Sequence, residues 1–235
     1  MIIVVNFCYS GRYNGAEMKL ESDGILIDLR PFNERDGIAR VMTREHGLMG
    51  GVMRAAQVMK KNRPLVGQFG AVAWNARLDT QLGTFHWDAT RNLAAPILMN
   101  ARRLMFMNAA FGLITTLVPE RESFPHLFDE TIELLTALGD ETTNASFFYL
   151  QWEMAFLREL GYALDLTACS GCGRRDNLVY LSPRTGRAVC GVCGEPYRDR
   201  LYRLPLCMDI TGRFIDAACT AQGVSMPPSR RMIHD

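Results

Sequence analysis

The sequence predicts an α+β protein: a small N-terminal β-barrel followed by an α-helical domain that carries a four-cysteine zinc hairpin. Three observations predict it. Short β-branched runs broken by glycines and turn residues fill the first part of the chain, the hydrophobic period becomes helical after Pro96, and two Cys-x-x-Cys pairs interrupt the helical part. The divisions fall at about residues 18–93 for the barrel and 94–235 for the helical domain, with the zinc insertion at about 167–196.

Within the barrel, Gly24 to Leu29 is apolar and β-branched, and Arg30-Pro31 through Gly37 is rich in breakers. Ile38 to Thr43, then Leu48 to Val58 with Gly50-Gly51 as a bend, give two more strands on either side of a turn at Arg44-Glu-His-Gly47. After a basic loop come Val66 to Arg77 and Leu82 to Arg91. Val72, Trp74 and Ala76 alternate with Ala73 and Asn75, as in a half-buried strand. Five short strands in about 70 residues fit a closed barrel of the OB type. An SH3-like barrel or a small sandwich fits the same pattern, because strand order is not written in a single sequence. Residues 1–17 lack periodicity and are expected to be an appended or misassigned start, which mass spectrometry of the native N-terminus would test.

From Pro96 to Leu117 apolar residues fall on nearly all sides of one helix, which therefore reads as buried. Phe124 to Leu138 shows i, i+3, i+4 spacing through Leu127, Phe128, Ile132, Leu134, Leu135 and Leu138, and stops at Gly139-Asp140. A third helix follows Asn144 and runs to Gly161. After the zinc hairpin, Met208 to about Ala221 and a short helix near Pro227-Pro228 complete the domain.

Cys169-Ser-Gly-Cys172-Gly173 and Cys190-Gly-Val-Cys193-Gly194 are separated by seventeen residues. A Cys-x-x-Cys turn converges two thiolates on one cation, and the glycine after it supplies the unhindered backbone of a tight turn. Leu178 to Leu181 is strand-like and Ser182 to Gly186 is turn chemistry, so both ends of a hairpin meet at one tetrahedral zinc. Two disulfides are the alternative, but nothing marks a secreted protein. Four thiolates fill the shell and leave no open position for water, so the ion is expected to be structural. The deaminase pattern is absent, since His86 is followed by Trp-Asp and Thr-Ala precedes the first pair.

The hydrophobic fraction of 48% and the charged fraction of 22% exclude disorder. No apolar run approaches the roughly 20 residues that span a bilayer, and no signal peptide opens the chain, which predicts no membrane and a cytoplasmic protein. The formal charge of +1 is a sum of opposed blocks. Residues 40–63 carry six basic side chains against Glu45, residues 120–165 ten acidic against two basic, and residues 166–203 seven arginines against three acids. Arg40, Arg44, Arg54, Lys60, Lys61 and Arg63 are therefore the candidate nucleic-acid contacts, on the barrel strands and loop that in this fold type track single strands; a solvated polar face is the bland alternative. Phe32, Phe69, Trp74, Phe85 and Trp87 are candidate stacking rings, although most of them, Trp74 above all, read as core. Arg174, Arg175, Arg184, Arg187, Arg198, Arg200 and Arg203 surround the zinc and either extend a phosphate-contacting surface or pair with the acidic helices, the second being the expectation for Arg198, Arg200 and Arg203.

Enzyme signals are lacking: no Walker loop, no Gly-x-Ser-x-Gly, no His-Glu-x-x-His, and scattered histidines at 46, 86, 126 and 234. A non-enzyme is expected. Cys8, Cys207 and Cys219 read as small buried hydrophobes.

An ordered set of motifs resembles the bacterial RecO recombination mediators. These are Gly24-Ile-Leu-Ile, Thr43-Arg-Glu-His-Gly47, Trp74-Asn-Ala-Arg77 through Phe85, Ser182-Pro-Arg-Thr-Gly-Arg-Ala-Val189 and Pro196-Tyr-Arg198. The resemblance runs from about Met18 to the C-terminus. It implies an OB barrel, a helical domain and a four-cysteine zinc site. It also implies binding of single- and double-stranded DNA, annealing of complementary strands, loading of RecA on strands coated by the single-stranded DNA-binding protein SSB, and partnership with RecR in the nucleoid. A zinc-stapled adaptor that binds proteins and no nucleic acid is the competing expectation.

Overall fold

In the computed structural model, residues 18–58, 63–77 and 82–234 are described. The expected extension at 1–17, with Cys8, and the candidate contacts Lys60 and Lys61 lie outside them.

Five strands close a barrel in the order β1-β2-β3-β5-β4: β1 Met18–Pro31, β2 Gly37–Thr43, β3 Gly47–Met53, β4 Gln68–Ala76 and β5 Gly83–Asn92. All neighbours are antiparallel except β3 and β5, whose parallel pairing of Gly51 with Gly83 and Met53 with Phe85 shuts the barrel. The first strand is longer than its apolar run because its two ends serve different partners. Met18 to Ile25 pairs with β4, and Gly24 to Pro31, with a bulge after Leu26, pairs with β2. Gly24 lies at that handover, where a Cβ would come within 2.5 Å of Val41 Cγ1.

The uninterrupted run Ile25-Leu26-Ile27 reflects burial on both faces. Leu26 points into the barrel with Val41, Met49, Trp74 and Phe85, whereas Ile25 and Ile27, with Met42 and Leu48, join the core of the helical domain. One wall of the barrel is thus also the floor of the helical part. Trp74 is core, as its alternation predicts; its ring covers Gly83 and its indole N–H donates to the Gly50 carbonyl at 3.0 Å.

The first helix, α1 (Ala101–Leu117), begins five residues later than its apolar pattern because Asn100 caps it, accepting from the Arg103 N–H at 3.2 Å, and residues 93–99 form turns. Next come α2 (Pro125–Gly139) and α3 (Ala145–Glu159), the latter capped by Asn144. Arg103, buried, turns its guanidinium onto the carbonyls of Ala137, Leu138, Asp140, Glu141 and Thr143, satisfying the orphan acceptors at the end of α2. Phe106, Tyr149, Trp152 and Phe156 stack in series, with centroid separations of 4.6, 6.2 and 5.1 Å.

The insertion then departs from the bundle as a small sheet of order β7-β6-β8: β6 Leu178–Leu181, β7 Ala188–Cys190 and β8 Tyr202–Arg203. The one-turn helix α4 (Gly191–Gly194) and a 3₁₀ segment (Glu195–Arg200) connect the last two. Returning to the bundle, α5 (Met208–Ala221) and α6 (Pro228–Arg231) pack on α3 and α1. The C-terminal turn is fastened by Arg230, whose guanidinium meets the Glu153 carboxylate of α3 and donates to the Met208 carbonyl at 2.6 Å. None of the helices among the described residues is long and apolar enough to cross a membrane.

Candidate metal centre and nucleic-acid interface

The four cysteines at 169, 172, 190 and 193 are brought together as their spacing requires: all their sulfurs lie within 4.8 Å of one another. Thiolates about 2.3 Å from a tetrahedral zinc stand roughly 3.8 Å apart, and the Cys172 and Cys190 sulfurs are separated by 3.7 Å. Backbone amides complete the shell, with Gly171 N–H and Cys190 N–H directed at the Cys169 sulfur at 3.4 and 3.2 Å. Those amides, Cys190's foremost, hold the Cys169 thiol down to about 6. The sulfurs of Cys172 and Cys190, crowded around Cys193, push that thiol up to about 12. Such a set releases its first proton readily and its last reluctantly, a penalty that a dication at the centre reverses. The donor set fits a tetrahedral metal ion. No other group of three or more His, Cys, Asp or Glu side chains comes together among the described residues.

Beneath the centre, the sheet uses its two faces differently. Tyr180 and Val189 pack under the cysteines, and Leu181 and Tyr202 face the helices. Of the surrounding arginines, Arg187 reaches Asp165 at 3.4 Å and Arg174 reaches Asp176 at 3.7 Å. Arg198 does not meet the acidic helices as expected: it pairs with Glu195 at 3.1 Å, three residues away on its own turn. Arg200 and Arg203 are exposed and make no ion pair among the described residues.

The acidic block is met instead by the barrel, which divides the candidate nucleic-acid contacts into two groups. Ala39 and Val41 of β2 point inward, so Arg40 shares the outward face with Met42, and that face lies against the helices. Its guanidinium donates to the Thr115 carbonyl at 2.8 Å and stands 3.8 Å from Glu120. Arg44 forms an ion pair with Asp129 of α2, and its carbonyl accepts from the Ser123 hydroxyl at 2.9 Å. The loop between α1 and α2 runs along β3 here, with Arg121 N–H donating to the Leu48 carbonyl at 3.0 Å. Arg40 and Arg44 are contacts between the two halves of the molecule.

Arg54 and Arg63 belong to the other group, being exposed beyond the far end of β3. Of the candidate rings, Phe85 is buried inside the barrel and Phe69 packs on Phe128 beneath Arg91. Trp87 is half-buried and aims its indole at Gln68. Phe32 alone of the five is broadly open, at 57% exposure. Reading by blocks missed Arg35, which lies beside Phe32 before the residue-40 boundary; the breaker-rich turn that carries both was the available signal.

A closed five-stranded barrel, joined through one wall to a helical bundle that holds a four-thiol metal centre, defines a distinct class of two-part protein. Its family is shown by comparison. The family described as Recombination protein O N terminal matches residues 18–89, and that described as Recombination protein O C terminal matches residues 100–214. Three proteins named DNA repair protein RecO show the same relation. The one from Rhodospirillum centenum is 41% identical over 192 residues, 80% of this chain and 76% of its own length. That from Dinoroseobacter shibae is 38% identical, covering 78% and 76%, and that from Rhizobium rhizogenes 34% identical, covering 80% and 72%. The chain belongs to the RecO family of DNA repair and recombination proteins.

Proposed function

We propose that this protein is a non-enzymatic mediator of DNA repair in the cytoplasm, associated with the nucleoid. It binds single- and double-stranded DNA, anneals complementary strands and helps place RecA on SSB-coated DNA, with SSB and RecR as its partners. The reading rests on family membership, and the observation that carries it is the closed barrel with unpaired cations on its free loops. Two strands repel through their phosphates; a cationic surface that holds both lowers that barrier without making or breaking a covalent bond. The metal is zinc and its role is structural, because four thiolates leave no coordination site for a reactant.

The test is annealing of complementary oligonucleotides coated with SSB, run with and without a chelator. Faster annealing than the uncatalysed rate, weakening steeply with salt, is expected. Association with proteins but no oligonucleotide binding at low ionic strength would establish the adaptor reading instead.

A further inference from the structure

The end of the barrel beyond the Gly37 end of β2 is built as one unit. The β1–β2 turn is organised by Asn33, whose side-chain oxygen accepts from Arg35 N–H at 2.8 Å and Asp36 N–H at 2.7 Å. That turn is tied to the stretch after β3: Ala55 N–H donates to Asp36 Oδ1 at 2.8 Å, and Gln57 N–H to the Arg35 carbonyl at 2.9 Å. Gln57 in turn accepts from Arg63 at 3.5 Å. Backbone and side-chain bonds together therefore bring Phe32, Arg35, Arg54 and Arg63 to one place.

Their charge is available. Arg35, Arg54 and Arg63 make no ion pair among the described residues, whereas Arg30 is taken by Asp28 at 2.8 Å. Of the acids here, Asp36 is held below its ordinary range by the Ala55 N–H and the Asn33 amide, with Arg54 and Arg35 adding their charges. Glu34 is exposed on the turn. Among the described residues, Arg35, Arg54 and Arg63 stand against those two acids. In their midst the Phe32 ring is 57% exposed, on a turn that has no need of an aromatic.

We propose that this end of the barrel is a single-stranded DNA dock in which the Phe32 ring stacks on one unpaired base while Arg35, Arg54 and Arg63 hold the flanking phosphates. It rests on the DNA-binding reading above and names the residues that do the binding. Stacking on a side-chain ring requires a base free of its neighbours, so the dock discriminates against duplex. Arg40, midway along β2, and Arg44, past its other end, are engaged by Thr115 and Asp129 of the helical half and take no part.

The experiment measures binding of the metal-loaded full chain to a fluorescent oligo-dT and to a duplex of equal length, across a salt series. Phe32→Ala is expected to weaken oligo-dT binding by roughly 5- to 150-fold, the range of one base–ring stack, with duplex affinity unchanged and Phe32→Tyr restoring it. Replacing Arg35, Arg54 and Arg63 together by Gln should lower the salt slope for single strands by about 2. Arg40→Gln with Arg44→Gln should leave that slope in place. Because these side chains are exposed, unchanged melting temperatures check that the variants fold. Oligo-dT binding by wild type that persists in both the Phe32→Ala and triple-Gln variants overturns the dock and spares the DNA-binding reading. Equal losses for single strand and duplex on Phe32→Ala overturn the stacking role. No binding by the wild-type chain at low salt overturns both.

Discussion

Removing Arg230 should unfasten the C-terminal turn and reveal how the helical domain is closed. Only 3% of its side chain and none of Glu153's is exposed, so Arg230→Met leaves a carboxylate buried with only neutral hydroxyl partners, Thr211 at 2.5 Å and the neighbouring Tyr149. Breaking one side of such a pair costs about 3–5 kcal/mol. At roughly 2–4 °C per kcal/mol for a chain of this length, the melting temperature should fall by about 6–20 °C. Burial already pushes the Glu153 carboxyl up, with Arg230 pulling the other way; without Arg230 it rises further. A carboxyl raised in the folded state favours folding below its unfolded pKa, near 4.3, and loses that advantage as pH climbs through the folded value. The deficit of Arg230→Met should therefore be larger at pH 7 than at pH 5. Adding Glu153→Leu removes the stranded charge, and Thr211 keeps the Met208 carbonyl as acceptor at 3.1 Å, so the double variant should recover most of the loss. Thermal melts of the three proteins at both pH values form the test. A single variant within 2 °C of wild type, or a double variant no better than the single, would refute the argument.

Two further perturbations probe the centre and the seam. Stripping the metal with a chelator, or replacing buried Cys190 by Ser, should abolish stoichiometric zinc and lower the melting temperature while far-UV helicity largely persists, because α1, α2, α3 and α5 share a core that does not include the cysteines; a metal-free chain that melts with the loaded one would contradict this. Gly47→Ala places a methyl 1.8 Å from the Glu122 carbonyl oxygen at a residue with φ of +68°, so backbone must shift, at a cost of roughly 2 kcal/mol or more. Proteolysis between α1 and α2 should then quicken, and an unaltered digestion pattern would show that the seam is not held there.

What the sequence made legible was whatever depends on local spacing. The cysteine pairs named their own geometry, Ser182 to Gly186 announced the hairpin turn, and apolar period located α2, α3 and α5 closely. The side of the molecule that each charge faces was not legible, because it depends on which surface lies across the space from it. Arg198 found Glu195 on its own turn, and the acids of α2 and the preceding loop found Arg40 and Arg44 from seventy or more residues away. Strand alternation did hold a clue: Ile38, Arg40 and Met42 share a face, and an arginine flanked by two apolar neighbours on one face belongs at an interface rather than in a solvent groove. The edge strand β8 escaped notice because two residues carry no period at all.

The same alternation settles how the acidic block bears on DNA. β2 spans seven residues, about 20 Å of extended chain; Asp129 lies past its Thr43 end, Glu120 stands beside Arg40 at its middle, and the unpaired arginines lie beyond its Gly37 end. At physiological salt the Debye length is about 8 Å, so the direct repulsion between a strand at the far end and Asp129 is weakened roughly tenfold, and that from Glu120, at about half the distance, roughly threefold. Arg40, Arg44 and Arg158 lower it further by pairing locally. The acidic helices accordingly neither guard the dock nor compete for it; they fix the barrel to the bundle. A strand at the distal loops should then be indifferent to their charge: Asp129→Asn with Glu120→Gln should leave oligo-dT affinity and its salt slope within twofold of wild type, and a marked gain in affinity would mean that Arg40 and Arg44 are phosphate contacts held in check by those carboxylates.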